Sequence, residues 1–239
     1  MPQVPIGMIV LVILSIIIYF GLAQRVLDRM KLTDKGALAV IAAIIVGSFI
    51  NIPLISGRTD LIVNLGGAVI PFIFAIYLLV TAGTTKEWGR TVFGTIVTAF
   101  LIVSAFRLLS AEPETMMIDP LWVIPIIAGL VAYILSRSRR GAFITAILGV
   151  ILADIVNYLW LIGTNTPGRV NMGGAGAIDA VVLSGIIAVL LAEFVGELRE
   201  RIQGGPALAG RPKKLLDELK NPSHTREQEE KEGGTNGEK

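Results

Sequence analysis

The sequence has no cysteine and one histidine, His224, among its 239 residues. The lack of cysteine excludes disulfides, thiolate nucleophiles and thiolate metal sites. His224 lies in the polar C-terminal segment, which excludes a buried imidazole relay and a histidine-rich metal centre. A nucleotide-binding loop is missing too, because the Gly-Gly pairs are not followed by the lysine that such a loop requires. We therefore predict that the protein binds no metal and no cofactor.

Charged residues are also scarce, at 17% of the chain, and the net charge of +2 is too small to predict a nucleic-acid partner. Hydrophobic residues make up 53% and fall in long runs. A helix that crosses the roughly 30 Å hydrocarbon core of a bilayer needs about 17–25 mostly apolar residues. Seven runs qualify: residues 6–23, 36–53, 66–83, 91–110, 120–136, 141–162 and 173–195. The sequence therefore predicts an all-α, polytopic integral membrane protein with seven transmembrane helices, embedded in the lipid bilayer.

The distribution of basic residues predicts the orientation of these spans. Lysine and arginine are concentrated after the first, third and fifth spans, at Arg25, Arg29, Lys31, Lys35, Lys86, Arg90, Arg137, Arg139 and Arg140. The intervening loops hold few basic residues, chiefly Arg58 and Arg169, and residues 111–120 are acidic. Because loops rich in lysine and arginine remain in the cytoplasm, we predict an external N-terminus and a cytoplasmic C-terminus.

The chain divides into a membrane domain, residues 1–203, and a polar cytoplasmic tail, residues 204–239. The tail is charged and has almost no large apolar residues after Leu219, so we predict that it is disordered. This organisation is compatible with a homo-oligomer and with a protein partner for the tail, and it identifies neither.

A short motif occurs twice in the chain. Residues 64–68 read Asn-Leu-Gly-Gly-Ala and residues 171–175 read Asn-Met-Gly-Gly-Ala. An apolar segment that opens with Gly-Ala precedes each copy, beginning at Gly36 and at Gly141. The pattern predicts a parallel internal repeat that relates the second and third helices to the sixth and seventh. In this arrangement Asn64 and Asn171 are equivalent, and each caps the start of a helix at the outer face.

Two aspartates lie within the predicted spans. Asp154 is in the sixth span and Asp179 is about six residues into the seventh, which places both roughly 10 Å below the outer surface. A carboxylate at this depth is costly unless it has water or a polar partner. We predict that Asp179 faces the bundle interior, towards Asp154 or Asn157. The predicted polar centre consists of Asp154, Asn157 and Asp179, with Ser48, Asn51, Asn64 and Asn171 nearby.

Three functions fit such a centre. The first is a transporter, or another proton- or cation-coupled membrane protein, in which Asp154 and Asp179 bind the ion or a small substrate. The second is an intramembrane aspartyl protease that uses the same two aspartates as its catalytic pair. That class carries a Gly-x-Gly-Asp motif, whereas two additional residues separate Gly176 from Asp179 here. The third is a structural or assembly protein, in which Asp179 stabilises the positive end of a helix dipole.

Three segments resemble a known family. They are Asn-Leu-Gly-Gly-Ala-Val-Ile-Pro from Asn64, Gly-Val-Ile-Leu-Ala-Asp-Ile-Val-Asn-Tyr from Gly149, and Gly-Gly-Ala-Gly-Ala-Ile-Asp from Gly173. In this order they resemble the prokaryotic membrane proteins catalogued as domain of unknown function 1614, over nearly all of residues 6–205. The resemblance implies a polytopic architecture and a prokaryotic source, hence the cell (inner) membrane. It implies no particular reaction.

Overall fold

The computed structural model describes residues 33–81, 84–110, 120–136, 138–176 and 179–202, and these residues are mostly helical. The six α-helices are α1 (Asp34–Gly47), α2 (Ile70–Val80), α3 (Thr85–Ser110), α4 (Pro120–Ser136), α5 (Arg139–Gly163) and α6 (Ala180–Ile202). The strands are β1 (Asn51–Ile55), β2 (Thr59–Asn64) and β3 (Gly168–Met172), and a π-helical turn, Leu65–Val69, leads into α2. One helix falls in each of the predicted spans from the second to the seventh. The first predicted span and the predicted tail lie outside the described residues.

Two of these helices are long and apolar enough to cross a membrane, Thr85–Leu108 within α3 and Arg139–Gly163, which is α5. Length and composition therefore indicate association with a membrane. The remaining apolar helices are shorter, at 10–17 residues in their apolar parts. The number of spans and their orientation stay predictions.

Helix α5 lies against α2, α3, α4 and α6, and its contacts show how the helices run. Near its start, the Thr145 hydroxyl donates to the carbonyl oxygen of Thr91 in α3, at 3.2 Å. Near its end, the Arg107 guanidinium of α3 lies 4.0 Å from the centroid of the Trp160 ring. Matching contacts at both ends mean that α3 and α5 are parallel neighbours.

The other neighbours of α5 run in the opposite direction. The end of α2 meets the start of α5, where Arg140 is buried and donates to the Leu78 carbonyl (3.1 Å) and the Thr81 hydroxyl (2.8 Å). A guanidinium at this position binds the unpaired carbonyls that every helix C-terminus leaves. The late part of α6 also reaches the start of α5, through the ion pair between Arg139 and Glu193.

The three strands form one sheet, in the order β1-β2-β3, at the end of the helices where α1 and α5 finish. Strands β1 and β2 form an antiparallel hairpin. Strand β3 pairs with β2 in parallel, from Thr59 opposite Gly168 to Val63 opposite Met172. We call this end of the molecule the sheet end. The basic starts of α3 and α5 lie at the opposite end.

Two predicted helix boundaries are wrong. The second span was predicted to be helical to residue 53, but α1 ends at Gly47 and Asn51–Ile55 is a strand. Pro53 lacks the N–H that a helix needs and disfavours a helical conformation in the residue before it, and isoleucines on either side favour an extended chain. The seventh span was predicted to begin at residue 173, but α6 begins at Ala180.

Candidate functional site

Asp154 is a half-buried residue in the last third of α5. It lies two turns after Ile147, which packs against Gly185 of α6, so Asp154 lies on the side of α5 that faces α6. No hydrogen bond or ion pair to its carboxylate is formed by the described part of the chain. Asp154 is therefore a half-buried carboxylate on an apolar helix, and the described residues provide no donor to its oxygens.

Asp179 immediately precedes α6 and binds backbone N–H groups with both carboxylate oxygens. Oδ1 accepts from the N–H of Val181 at 3.0 Å, and Oδ2 accepts from the N–H of Ala175 at 3.2 Å. The side chain thus caps the helix and joins its first turn to the segment before it. Aspartate is among the best residues for this position, because its oxygen satisfies an N–H that the helix leaves unpaired.

The prediction that Asp179 lies six residues inside a helix is therefore wrong. Gly173 and Gly176 have φ angles of +67° and +65°, a left-handed conformation that glycine adopts readily and that ends a right-handed helix. Residues 173–175 form a turn, and α6 begins only after Asp179. The carboxylate lies at a helix N-terminus, where a negative charge is favoured by the helix dipole.

The two carboxylates are nevertheless neighbours. Asp154 lies within the electrostatic range of the Asp179 charge. Within the described ranges, no third aspartate, glutamate or histidine joins them to form a metal-binding cluster. Asn157, which was predicted to belong to the same centre, is exposed on α5 and forms no hydrogen bond with either carboxylate.

A second polar cluster lies where α1, the hairpin and the π-helical turn meet. Asn64 is fully buried, and its Nδ2 donates to the Ser48 carbonyl at 2.8 Å and to Oδ1 of Asn51 at 2.9 Å. Its Oδ1 accepts from the N–H of Gly67 at 2.7 Å, which caps the π-helical turn. The structure thus brings Ser48, Asn51 and Asn64 together and confirms that Asn64 caps the start of a helix.

Asn171 does not behave as its predicted counterpart. It is exposed in β3 and lies opposite Ile62 of β2, two residues away from Asn64 in the strand register. It begins no helix, so the prediction that it caps one is wrong. The capping residue of α6 is Asp179, eight positions later in the chain, because the two glycines with positive φ delay the start of the helix.

The two Gly-Gly pairs bring the copies of the motif into direct backbone contact. A methyl group on Gly67 would overlap the carbonyl oxygen of Gly173. A methyl group on Gly176 would lie 2.8 Å from Cβ of Ser48. We call the contact between residues 66–67 and 173–176 the glycine junction. It holds residues 173–176 against the π-helical turn and the end of α1.

One polar feature of the helix interface was not predicted from the sequence. Thr91, Thr98, Ser136 and Thr145 are buried between α3, α4 and α5, and Ser136 and Thr145 hydroxyls are 2.8 Å apart. The Thr98 hydroxyl is buried and has no partner in the described residues. The spacing of Thr91, Thr95 and Thr98 by four and three residues is the signal that places them on one face of a helix.

Comparison with known proteins supports the family resemblance. A family model described as "Protein of unknown function (DUF1614)" matches residues 26–191. No curated protein and no solved structure matches the chain. The matched segment contains both copies of the motif, both aspartates and the sheet. The chain therefore belongs to the DUF1614 family.

Proposed function

We propose that this protein is a seven-span transporter, or another proton- or cation-coupled protein, of the prokaryotic cell (inner) membrane, and that Asp154 binds the proton or a small monovalent cation. The observation that carries the proposal is a pair of carboxylates, of which Asp179 is anchored by backbone N–H groups and Asp154 has no hydrogen-bond or ion-pair partner among the described residues. In this proposal Asp179 fixes the local structure and the negative charge, and Asp154 exchanges the ion.

The surface of α3 supports the membrane location. Phe93, Ile96 and Phe100 are 61%, 57% and 69% exposed and lie three or four residues apart, on one face of the helix. A contiguous apolar face costs free energy in water and is favourable against acyl chains. The opposite face of α3 carries buried threonines. Polar residues therefore face the interior and apolar residues face outward, which is the reverse of a helix on the surface of a water-soluble protein.

The direction of the helices supports the predicted orientation. The starts of α3 and α5, with Lys86, Arg90, Arg139 and Arg140, lie at the end opposite the sheet. In a membrane this end is cytoplasmic by the positive-inside rule, and the sheet end is external. Helices α1 and α5 run towards the sheet and α2 and α6 run away from it, which supports the parallel repeat of the second and third spans with the sixth and seventh.

The electrostatics of the pair favour a proton or a monovalent cation as the ligand. Two carboxylates in apolar surroundings repel each other, and a proton or cation on Asp154 removes this repulsion. A bound Ca²⁺ or Mg²⁺ would require more oxygen ligands than two side chains provide. The aspartyl protease alternative has less support, because two additional residues separate Gly176 from Asp179 and interrupt the Gly-x-Gly-Asp motif of that class.

Carbodiimide labelling of the full chain in phospholipid vesicles tests the proposal. Dicyclohexylcarbodiimide reacts with protonated carboxyl groups in apolar surroundings, and mass spectrometry of peptides identifies the modified residue. We expect Asp154 to be modified, and the modification to decrease as the pH is raised. Protection by added Na⁺ or K⁺ at constant pH would identify a cation as the ligand, whereas dependence on pH alone would identify a proton.

Asp60 is the matched control, because it lies on the sheet and pairs with Arg169 at 3.5 Å. It should not react under conditions that modify Asp154. Asp179→Asn should leave the modification of Asp154 in place, and Asp154→Asn should abolish it. Failure of Asp154 to react at any pH, or equal modification of Asp60 and Asp154, would contradict the proposal and favour a structural role for both aspartates.

A further inference from the structure

Strand β1 is exposed along its whole length although most of its residues are apolar. All five residues from Asn51 to Ile55 are exposed, and Leu54 is 59% exposed. Phe49, in the turn before the strand, is 75% exposed. Strand β2, by contrast, is buried or half-buried from end to end. The outer edge of the hairpin therefore presents an apolar surface that β2 does not cover.

This apolar surface continues a segment that carries no charge. No lysine, arginine, aspartate or glutamate occurs from Gly36 to Gly57, yet the helical part of this stretch ends at Gly47. Helix α1 has 14 residues and is about 21 Å long, which is less than the roughly 30 Å of a hydrocarbon core. A strand adds about 3.3 Å per residue. Helix α1 alone is therefore too short to cross the hydrocarbon core. The uncharged segment reaches the far boundary of the bilayer when strand β1 lies at that boundary.

We propose that the β1–β2 hairpin lies in the interfacial layer of the outer leaflet, with Phe49, Leu54 and Ile55 in contact with lipid. The inference rests on the membrane location in the proposed function. The interfacial layer, rather than the hydrocarbon core, fits an edge strand, because headgroups and water satisfy the backbone groups that β1 leaves unpaired. Arg58 and Asp60, which follow the strand, reach water from the same position.

The structure favours lipid over a second copy of the chain as the occupant of this edge. Pro53 lies in the middle of β1 and cannot donate a backbone hydrogen bond to an added strand. The register shifts between Pro53 and Ile55, and such a bulge twists an edge away from further pairing. Both features hinder strand addition and leave apolar side chains free to enter lipid.

Spin labelling of single cysteine variants in phospholipid vesicles tests the proposal, because the native chain has no cysteine. A nitroxide on Leu54→Cys should collide more often with oxygen, which concentrates in lipid, than with a water-soluble nickel chelate. We expect its oxygen-to-nickel ratio to be several-fold higher than that of Lys86→Cys, an exposed position at the basic end. Phe100→Cys, on the exposed apolar face of α3, serves as the lipid reference.

The possible results separate the proposed membrane location from the proposed interfacial position of the hairpin. A water-like ratio at both Leu54→Cys and Phe100→Cys would overturn the membrane location itself. A lipid-like ratio at Phe100→Cys with a water-like ratio at Leu54→Cys would overturn only the interfacial hairpin. Dipolar broadening at Leu54→Cys that disappears on dilution with unlabelled protein would show that a second copy covers the strand, which also overturns the inference.

Discussion

The two aspartates of the candidate site differ in what their oxygens contact. Asp179 accepts hydrogen bonds from the N–H groups of Val181 and Ala175, so its carboxylate is part of the backbone structure around the start of α6. Asp154 has a neighbour of the same charge and no hydrogen-bond donor among the described residues. A group with no structural partner can bind and release a ligand without breaking the fold, which is why Asp154 is the proposed binding residue.

This difference predicts opposite effects on stability. Asp179→Ala should lower stability by about 1 kcal/mol, the usual cost of removing a helix cap. For a chain of this size that corresponds to a decrease of about 2–4 °C in the midpoint of thermal unfolding. Asp154→Asn should leave the midpoint unchanged or raise it, because it removes the repulsion between the carboxylates without removing a helix cap. Thermal unfolding of both variants in detergent measures these effects, and a larger loss for Asp154→Asn would contradict the assigned roles.

At the scale of elements, the glycine junction holds the site together. It joins the π-helical turn before α2 to residues 173–176, and its closest contact, between Gly67 and Gly173, involves backbone atoms that cannot rotate away. Close backbone approach through small residues is the usual way in which helices pack in membranes. The π-helical geometry at residues 65–69 lies at the same junction, and such irregular turns occur often at functional sites.

Gly67→Ala should therefore destabilise the protein, because its methyl group would overlap the Gly173 carbonyl. The expected loss is about 1–3 kcal/mol, the typical cost of overpacking. Gly89→Ala is the matched control, since Gly89 lies in helix α3 with open space around its Cα. That substitution should be neutral or should stabilise by up to about 1 kcal/mol. The yield of monodisperse protein and its unfolding midpoint measure both changes. If Gly67→Ala matched Gly89→Ala, the close contact at the junction would be wrong.

For the whole molecule, the alternating helices separate two chemically different ends. The basic starts of α3 and α5 and the ion pair between Arg139 and Glu193 lie at one end, and the sheet and the aspartates lie towards the other. A carboxylate pair near one surface of a membrane protein is reached from that side first. The proposed orientation therefore gives the ion access from outside the cell.

Cysteine labelling tests this orientation, and Ser56 and Thr85 are exposed positions at the two ends. In intact cells, an impermeant thiol reagent should label Ser56→Cys, in the hairpin turn. Thr85→Cys, at the start of α3, should react only after the membrane is made permeable. The chain without cysteine is the blank for both reactions. Labelling of Thr85→Cys alone in intact cells would reverse the orientation and place the aspartates near the cytoplasm.

Local properties of the sequence were sufficient to predict much of the fold. Apolar runs of helical length predicted the positions of α1 to α6, and Asn64 was identified as a cap from its place before a Gly-Gly pair. These predictions succeeded because hydrophobicity, capping and rise per residue depend on short stretches of chain.

Only the tertiary structure decided where the helices stop and what the polar residues contact. Strand β2 pairs with β3, more than one hundred residues later, and no local pattern specifies such a partner. The glycines with positive φ move the start of α6 to Ala180, which makes Asp179 a cap and leaves Asn171 exposed in β3. The sequence by itself determined that the chain is mostly helical and where most of its helices lie, because apolar runs of helical length are a local property. The tertiary structure determined which carboxylate caps a helix and which has no hydrogen-bond partner in the described part of the chain.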